Sequence, residues 1–195
     1  MWIETPVFQE DLEYISNVTF IPWEQLRGKT ILITGATGLI GYTVTSALLY
    51  AGWKKELGLK LIALVRNVEK AKQKFAAQLA QGLPLQFVQG TVENLPSVNE
   101  PIDYVIHGAS PTASRFFVEH PVETIQTAVI GTMNVLRLAQ DNQCKGFVYL
   151  SSMEVYGSIN EEKFLTEKDL GYLDPLSVRS CYPESKRLCE ALCAA

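Results

Sequence analysis

The chain has 195 residues, of which 47% are hydrophobic and 19% charged, and its formal net charge is -4. This composition is typical of one soluble globular domain that buries a core without cross-links. The acidic balance argues against an electrostatic nucleic-acid partner. No apolar run reaches the ~18 residues of a membrane helix, and the N-terminus lacks the basic-then-apolar order of a secretory signal. We therefore expect a cytoplasmic protein with no membrane partner.

Short β-branched segments alternate with helix-like patterns along the chain. We expect an N-terminal extension over residues 1–28, with a short helix near Pro6–Ile15, and one domain over residues 29–195. The predicted strands are Lys29–Thr34, Lys60–Val65, Leu85–Val88, Asp103–Ile106 and Gly146–Leu150. The predicted helices are Leu39–Tyr50, Val68–Leu79, Val122–Gln140 and one from Tyr182 onwards, with a loop over Ile159–Leu176. Alternating strands and helices predict an α/β fold, a doubly wound parallel sheet of the Rossmann type with about five strands.

The first predicted strand is followed by the sequence TGATGLIG, residues 34–41, with glycines at the spacing G-x-x-G-x-x-G. Gly35 permits a tight turn, Gly38 lets the backbone approach a pyrophosphate, and Gly41 lets the helix pack closely on the strand. The helix N-terminus that follows favours an anion. The loop residues predicted to contact a dinucleotide are Gly35, Thr37, Gly38, Leu39, Ile40 and Gly41.

The end of the second predicted strand bears on the choice of cofactor. An acidic residue there would bind a ribose 2'-hydroxyl, whereas an arginine accommodates a 2'-phosphate. The strand ends in Val65-Arg66-Asn67, so charge favours NADP. Arg66 could instead stack over an adenine ring or face solvent, and the sequence leaves these alternatives open.

Tyr182 and Lys186 are four residues apart in a predicted helix, which places them on one face. A nearby ammonium stabilises a phenolate, and such a tyrosine can exchange a proton with a carbinol that exchanges hydride with nicotinamide. The four cysteines (Cys144, Cys181, Cys189 and Cys193) and two histidines (His107 and His120) show no zinc-ligand spacing. We expect reduced thiols in packing roles and no metal.

The segments TGATGLIG, VIHGASP, GTMNVLRLA, FVYLSSMEVYG and RSCYPESKRLCEAL carry a family resemblance. Over residues 29–195 the chain resembles the extended short-chain dehydrogenase/reductase family, the NAD-dependent epimerases and dehydratases of nucleotide sugars. Within it, the chain is most similar to UDP-glucuronate decarboxylases and sugar-nucleotide 4,6-dehydratases. The family continues beyond the tyrosine helix into a substrate domain, so the resemblance implies that this chain lacks the C-terminal substrate domain.

The resemblance also implies roles for individual residues. Ser152 would hydrogen-bond the sugar oxygen that is oxidised, Tyr182 would be the acid/base, and Lys186 its electrostatic partner and a ribose ligand. Dehydratases have an Asp-Glu pair where this chain has Met153-Glu154. The acid is absent while the carboxylate base remains, which favours decarboxylation over 4,6-dehydration. Alternatively, Glu154 would simply hydrogen-bond the backbone.

The implied cofactor is NAD, retained through the cycle, although Arg66 leaves NADP possible. Further implied contacts are Ala109, Val92 and Thr91, which replaces the aspartate that often contacts adenine in the family. The implied function is modification of a nucleotide-sugar (decarboxylation, epimerisation or dehydration) through transient oxidation at C4, in a homodimer. Two alternatives stay open: a non-catalytic dinucleotide-binding module and an NADP-dependent reductase.

Overall fold

The structure is a computed structural model that describes residues 5–159 and 164–195. The described strands are β1 (Thr30–Thr34), β2 (Lys60–Val65), β3 (Leu85–Gln89), β4 (Tyr104–His107) and β5 (Gly146–Tyr149). All pair in parallel, in the order β3-β2-β1-β4-β5. This order reverses between β1 and β4, as in a doubly wound sheet, which confirms the predicted fold class.

Helices cover both faces of the sheet. They are α1 (Pro6–Asn17), α2 (Leu39–Lys54), α3 (Val68–Lys74), α4 (Ala76–Leu79), α5 (Ser114–Glu119), α6 (Pro121–Asp141) and α7 (Cys181–Ala194). Single 3-10 turns cover Trp23–Leu26, Met153–Tyr156 and Val178–Ser180. Because strand side chains alternate, Ile31 and Ile33 of β1 pack in the cluster that contains α2, whereas Leu32 packs with Val135 of α6.

The predicted helix Val68–Leu79 is wrong as one element, because it is interrupted at Phe75. The Phe75 ring is fully buried, and its centre lies 4.9 Å from that of Tyr42 and 5.9 Å from that of Phe87. Its backbone leaves the helical region at φ -99° and ψ 21°. Part of the predicted loop Ile159–Leu176, residues 160–163, lies outside the described residues.

The N-terminal helix α1 packs against α2. Thr5 caps it by accepting a hydrogen bond from the amide of Phe8 at 3.2 Å. Leu12 is completely buried in the same cluster as α2. The Glu13 carboxylate accepts hydrogen bonds from Tyr50 Oη and Lys54 Nζ, so a polar contact fixes the docked helix beside its apolar one.

Candidate functional site

The glycine loop lies between β1 and α2, at the carboxyl end of the sheet. Gly35 has a φ of +74°, and a Cβ there would lie 2.6 Å from the carbonyl carbon and oxygen of Gly108. A Cβ on Gly41 would lie 2.1 Å from the carbonyl oxygen of Gly35. Side chains are therefore excluded where the loop meets the end of β4 and where α2 meets the loop.

Gly38 is the N-cap of α2, and within the described residues no side chain caps this helix. The apolar side chains of Leu39 and Ile40 are 86% and 59% exposed, and Thr37 is also exposed. A Cβ on Gly38 would meet the carbonyl oxygen of Gly35 at 3.3 Å and otherwise open space. Helix α2 is 16 residues long, its N-terminus is uncapped, and the glycine in front of it leaves room for a ligand. Such an N-terminus can bind the pyrophosphate of a dinucleotide.

The other predicted cofactor contacts follow three of the strands: Arg66 follows β2, Thr91 and Val92 follow β3, and Ala109 follows β4. Arg66 is exposed directly after β2. Thr91 Oγ1 accepts a hydrogen bond from the amide of Asn94 at 3.2 Å. The Val92 side chain is buried in the core, where a Cβ on Gly131 would lie 2.5 Å from it. The amide of Ala109 donates to Thr34 Oγ1 at 3.1 Å, which holds the start of the loop after β4 against β1.

His107, at the end of β4, is buried between two threonines. Its Nδ1 lies 2.7 Å from Thr34 Oγ1 and its Nε2 lies 3.1 Å from Thr132 Oγ1. Burial, with a smaller effect of the Lys186 charge, lowers the pKa of His107 to about 4. The neutral ring therefore links β1, β4 and α6 beneath the site.

Tyr182 and Lys186 both lie on α7, one turn apart, and both are buried. The Tyr182 ring stacks on Phe117, with centres 4.2 Å apart and an angle of 10° between the planes. Lys186 Nζ donates to the carbonyl oxygen of Leu150 at 2.7 Å and lies 5.8 Å from the centre of the Tyr182 ring. Burial lowers the pKa of Lys186, although the charges of Cys189 and Glu190 oppose it.

Ser152 and Glu154 lie at the 3-10 turn that follows β5. Ser152 is the N-cap of this turn, and its Oγ accepts from the amide of Glu154 at 3.2 Å. Helix α7 packs against the turn, and Arg187 Nε donates to the carbonyl oxygen of Val155 at 2.7 Å. Together with the bond from Lys186 to Leu150, this places all four predicted catalytic residues on two elements that are tied to each other.

Arg179 is a site residue to which the sequence analysis assigned no role. Its Nη2 donates to Glu154 Oε1 at 2.8 Å, and the guanidinium carbon lies 4.7 Å from the centre of the Phe117 ring. Its Nη1 is buried and has no hydrogen-bond partner among the described residues. Glu154 and Arg179 line a cavity of about 290 Å³. The signal that could have identified Arg179 is its position three residues before Tyr182, within the segment RSCY.

Two absences hold for the described parts of the chain. In residues 5–159 and 164–195, no group of three or more His, Cys, Asp or Glu side chains could hold a metal ion. Over the same ranges, no helix has the length and apolar character needed to span a bilayer. The cysteines are all unpaired thiols.

The reversal of strand order and the glycine loop are those of a Rossmann-type fold, the fold class that typically binds dinucleotides. The chain belongs to the NAD dependent epimerase/dehydratase family, whose sequence model matches residues 31–195. A UDP-glucuronic acid decarboxylase 1 from Xenopus tropicalis is 29% identical over 167 residues, which are 86% of this chain and 37% of that protein. The chain thus spans little more than a third of this relative's length.

Solved structures of other proteins share the fold. An epimerase from Methanothermobacter thermautotrophicus has a TM-score of 0.67 and 22% identity, covering 88% of this chain and 48% of that one. A UDP-glucose 4-epimerase from Thermotoga maritima, solved with UDP-glucose, has a TM-score of 0.63 and 21% identity, covering 85% and 50%. At these identities the likeness establishes the shared fold.

Proposed function

We propose that this chain is the cofactor-binding part of an NAD-dependent enzyme that modifies a nucleotide-sugar by transient oxidation at the sugar C4. The observation that carries the proposal is the buried Lys186, which is fixed to the carbonyl of Leu150 with its ammonium beside the Tyr182 ring. Burying an ammonium costs free energy, and a module that only binds a dinucleotide has no need of one beside a tyrosine. On this proposal, residues 29–195 are the dinucleotide-binding domain and residues 1–28 an extension.

The chain's own residues divide the proton chemistry between them. Bound nicotinamide supplies the chemistry of accepting a hydride from C4 and returning it. Tyr182 takes the proton of the C4 hydroxyl as the carbonyl forms, and Ser152 Oγ donates a hydrogen bond to the same oxygen. Lys186 favours the phenolate that this transfer requires. The stack on Phe117 fixes the plane of the Tyr182 ring.

Glu154 would act in the step that follows oxidation. Met153, beside it, supplies no proton donor for expelling a hydroxyl as water, and its side chain is 83% exposed. A sugar carboxylate at C6 can instead leave as carbon dioxide once C4 is a ketone: the C5–C6 bond breaks, its electron pair passes into the C4 carbonyl as an enolate, and C5 then takes up a proton. Loss of carbon dioxide needs no acid at position 153. We therefore propose decarboxylation of a UDP-glucuronate-like substrate as the reaction, which is the activity in the name of the Xenopus relative.

Two other functions each have one observation in their favour. The N-terminus of α2 at Gly38, which no side chain of the described residues caps, favours a module that binds a dinucleotide without catalysis. The exposed Arg66 at the end of β2 favours an NADP-dependent reductase. A buried Lys186 and a Ser152 in the turn tied to α7 favour the enzyme over the module.

The test joins this chain to the sugar-binding half of a decarboxylase relative and supplies UDP-glucuronate, UDP-glucose or dTDP-glucose separately. We expect carbon dioxide and a pentose product from UDP-glucuronate. Tyr182→Phe keeps the ring on Phe117 but removes the proton, so turnover should fall roughly 100-fold or more while NAD binding persists. Full activity of Tyr182→Phe would refute the catalytic assignment.

We also propose that the partner of this domain is a second copy of the chain. Helix α6 exposes four apolar side chains on one side: Val122, Ile125, Ile130 and Met133. An apolar stripe of this kind is typical of a subunit interface. In sedimentation velocity, Ile130→Glu should convert a dimer to a monomer, whereas Val7→Glu, which changes an exposed residue of α1, should not.

A further inference from the structure

Glu93 follows β3, the strand that pairs with β2 at the edge of the sheet. Strands β2 and β3 are paired with Val65 opposite Gln89, and the amide of Gly90 donates to the carbonyl oxygen of Val65 at 3.0 Å. The residues after each strand therefore leave the sheet side by side. Arg66 begins one of these segments, and the segment from Thr91 to Glu93 belongs to the other.

The Glu93 carboxylate is held in place by helix α6. Thr127 Oγ1 donates to Glu93 Oε1. Asn134 Nδ2, two turns further along α6, donates to the backbone carbonyl oxygens of Val92 and Glu93 at 3.1 and 2.9 Å. Both the main chain and the side chain of Glu93 are thus hydrogen-bonded to α6, which restricts the positions that the carboxylate can occupy.

The Glu93 carboxylate is ionised and interacts electrostatically with Arg66. Partial burial raises the pKa of Glu93, but the hydrogen bonds from Thr127, its own backbone and Thr91, together with the charge of Arg66, lower the pKa below its ordinary value. The positive charge at the end of β2 is therefore accompanied by a negative charge supplied from the end of β3. An arginine at this position without an acidic neighbour predicts a 2'-phosphate site, but the charge of Arg66 is opposed by that of Glu93.

We propose that Glu93 is a specificity-determining residue for the cofactor, and that it makes the site prefer NAD by opposing a 2'-phosphate at Arg66. The inference rests on the proposed function insofar as that function requires a nicotinamide dinucleotide. Glu93 supplies from the end of β3 the negative charge that an acidic residue at the end of β2 otherwise provides. A phosphate that approached Arg66 would gain one attraction and meet one fixed repulsion.

Calorimetric titration of the 195-residue chain with NAD and with NADP, at one pH and ionic strength, tests this. Glu93→Gln keeps an oxygen acceptor for Thr127 but removes the charge. We expect it to raise NADP affinity relative to NAD about tenfold. The matched control is Glu123→Gln, which makes the same charge change one turn before Thr127 and should leave the ratio unchanged. In an Arg66→Gln background, the gain from Glu93→Gln should disappear.

The titrations distinguish failure of this inference from failure of the proposed function. An unchanged NADP-to-NAD ratio in Glu93→Gln, or the same gain without Arg66, overturns this inference while NAD binding leaves the proposed function standing. If the chain binds neither NAD nor NADP, both this inference and the proposed function are overturned. If Glu93→Gln does not fold, Thr127→Val frees the carboxylate without removing it, and a smaller shift towards NADP is then the expected result. No shift in that variant would also overturn the inference.

Discussion

The guanidinium of Arg179 joins the Glu154 carboxylate to the aromatic pair beneath it. Its Nη2 lies 2.8 Å from Glu154 Oε1, and its carbon lies 4.7 Å from the Phe117 ring centre and 5.9 Å from the Tyr182 ring centre. One cation therefore contacts both the proposed base and the ring of the proposed acid/base. Glu154 is oriented by a partner from the residues that lead into α7, so the two proposed catalytic steps share one positioning residue.

Replacing Arg179 should impair the step that depends on Glu154 without weakening the cofactor site. In the protein joined to a sugar-binding half, Arg179→Met should lower kcat for decarboxylation roughly 10- to 100-fold, which corresponds to the loss of one hydrogen bond to a charged group. Arg179→Lys keeps the charge and should recover part of the loss. NAD affinity, measured by calorimetry, should be unchanged. Full kcat in Arg179→Met would show that Glu154 does not need this partner.

Two glycines of the loop should separate folding from binding. Gly41→Ala forces a Cβ to 2.1 Å from a backbone oxygen, so it should cost roughly 1–3 kcal/mol of stability in urea unfolding and also weaken NAD binding. Gly38→Ala meets the same oxygen at 3.3 Å, so its stability should stay within about 1 kcal/mol of the parent. Its NAD affinity should nevertheless fall, because the Cβ occupies the approach to the pyrophosphate. Equal NAD affinity in Gly38→Ala would contradict the assignment of the loop.

His107 should make stability depend on pH on the acidic side of neutrality. Burial lowers its pKa from 6.5 to about 4 in the folded protein, so between these values the unfolded chain binds more protons. Its contribution is present above pH 6.5 and is lost as pH falls towards 4, by roughly 3 kcal/mol in total. Urea unfolding at a series of pH values should show this slope in the parent and a shallower one in His107→Gln. Parallel slopes would exclude His107 as the source.

The N-terminal helix should contribute to the stability of the whole sheet domain. Leu12 is completely buried in the cluster that contains α2. Leu12→Ala should therefore lower the free energy of unfolding by about 2–5 kcal/mol, the usual range when a core leucine is replaced and a cavity is left. The matched control is Val7→Ala on the same helix, where the side chain is 66% exposed. A single unfolding transition that shifts in Leu12→Ala alone would confirm one cooperative unit. Separate transitions would mean that α1 melts independently.

The sheet and its glycine loop could be predicted from the sequence because their signals are local. Strand β2 has the predicted bounds, and the other strands differ from prediction by single residues at their ends. Buried parallel strands are continuous apolar runs, and Gly35 and Gly41 are fixed by clashes within and next to the loop. These features depend little on which distant segment packs nearby.

The remaining features depend on contacts between distant residues. Helix α5 lies between Pro111 and Pro121 and begins without a side-chain cap, so its sequence carried no helix signal. Phe117, on α5, nevertheless supplies the surface on which Tyr182 stacks, 65 positions later. The pairing of Arg179 with Glu154 and that of Glu93 with Thr127 likewise join segments that meet through folding alone.

Arg187, on α7, hydrogen-bonds two separate segments: the 3-10 turn that contains Val155 and the segment that contains Gly171. Its Nε binds the carbonyl of Val155 at 2.7 Å and its Nη2 binds that of Gly171 at 2.8 Å, while the amide of Gly171 donates to the carbonyl of Tyr156 at 2.7 Å. The two segments are therefore connected to α7 and to each other by hydrogen bonds. In native-state hydrogen exchange, we therefore expect the amides of Gly157 and Gly171 to exchange together, through a local opening that detaches α7 and costs less free energy than global unfolding.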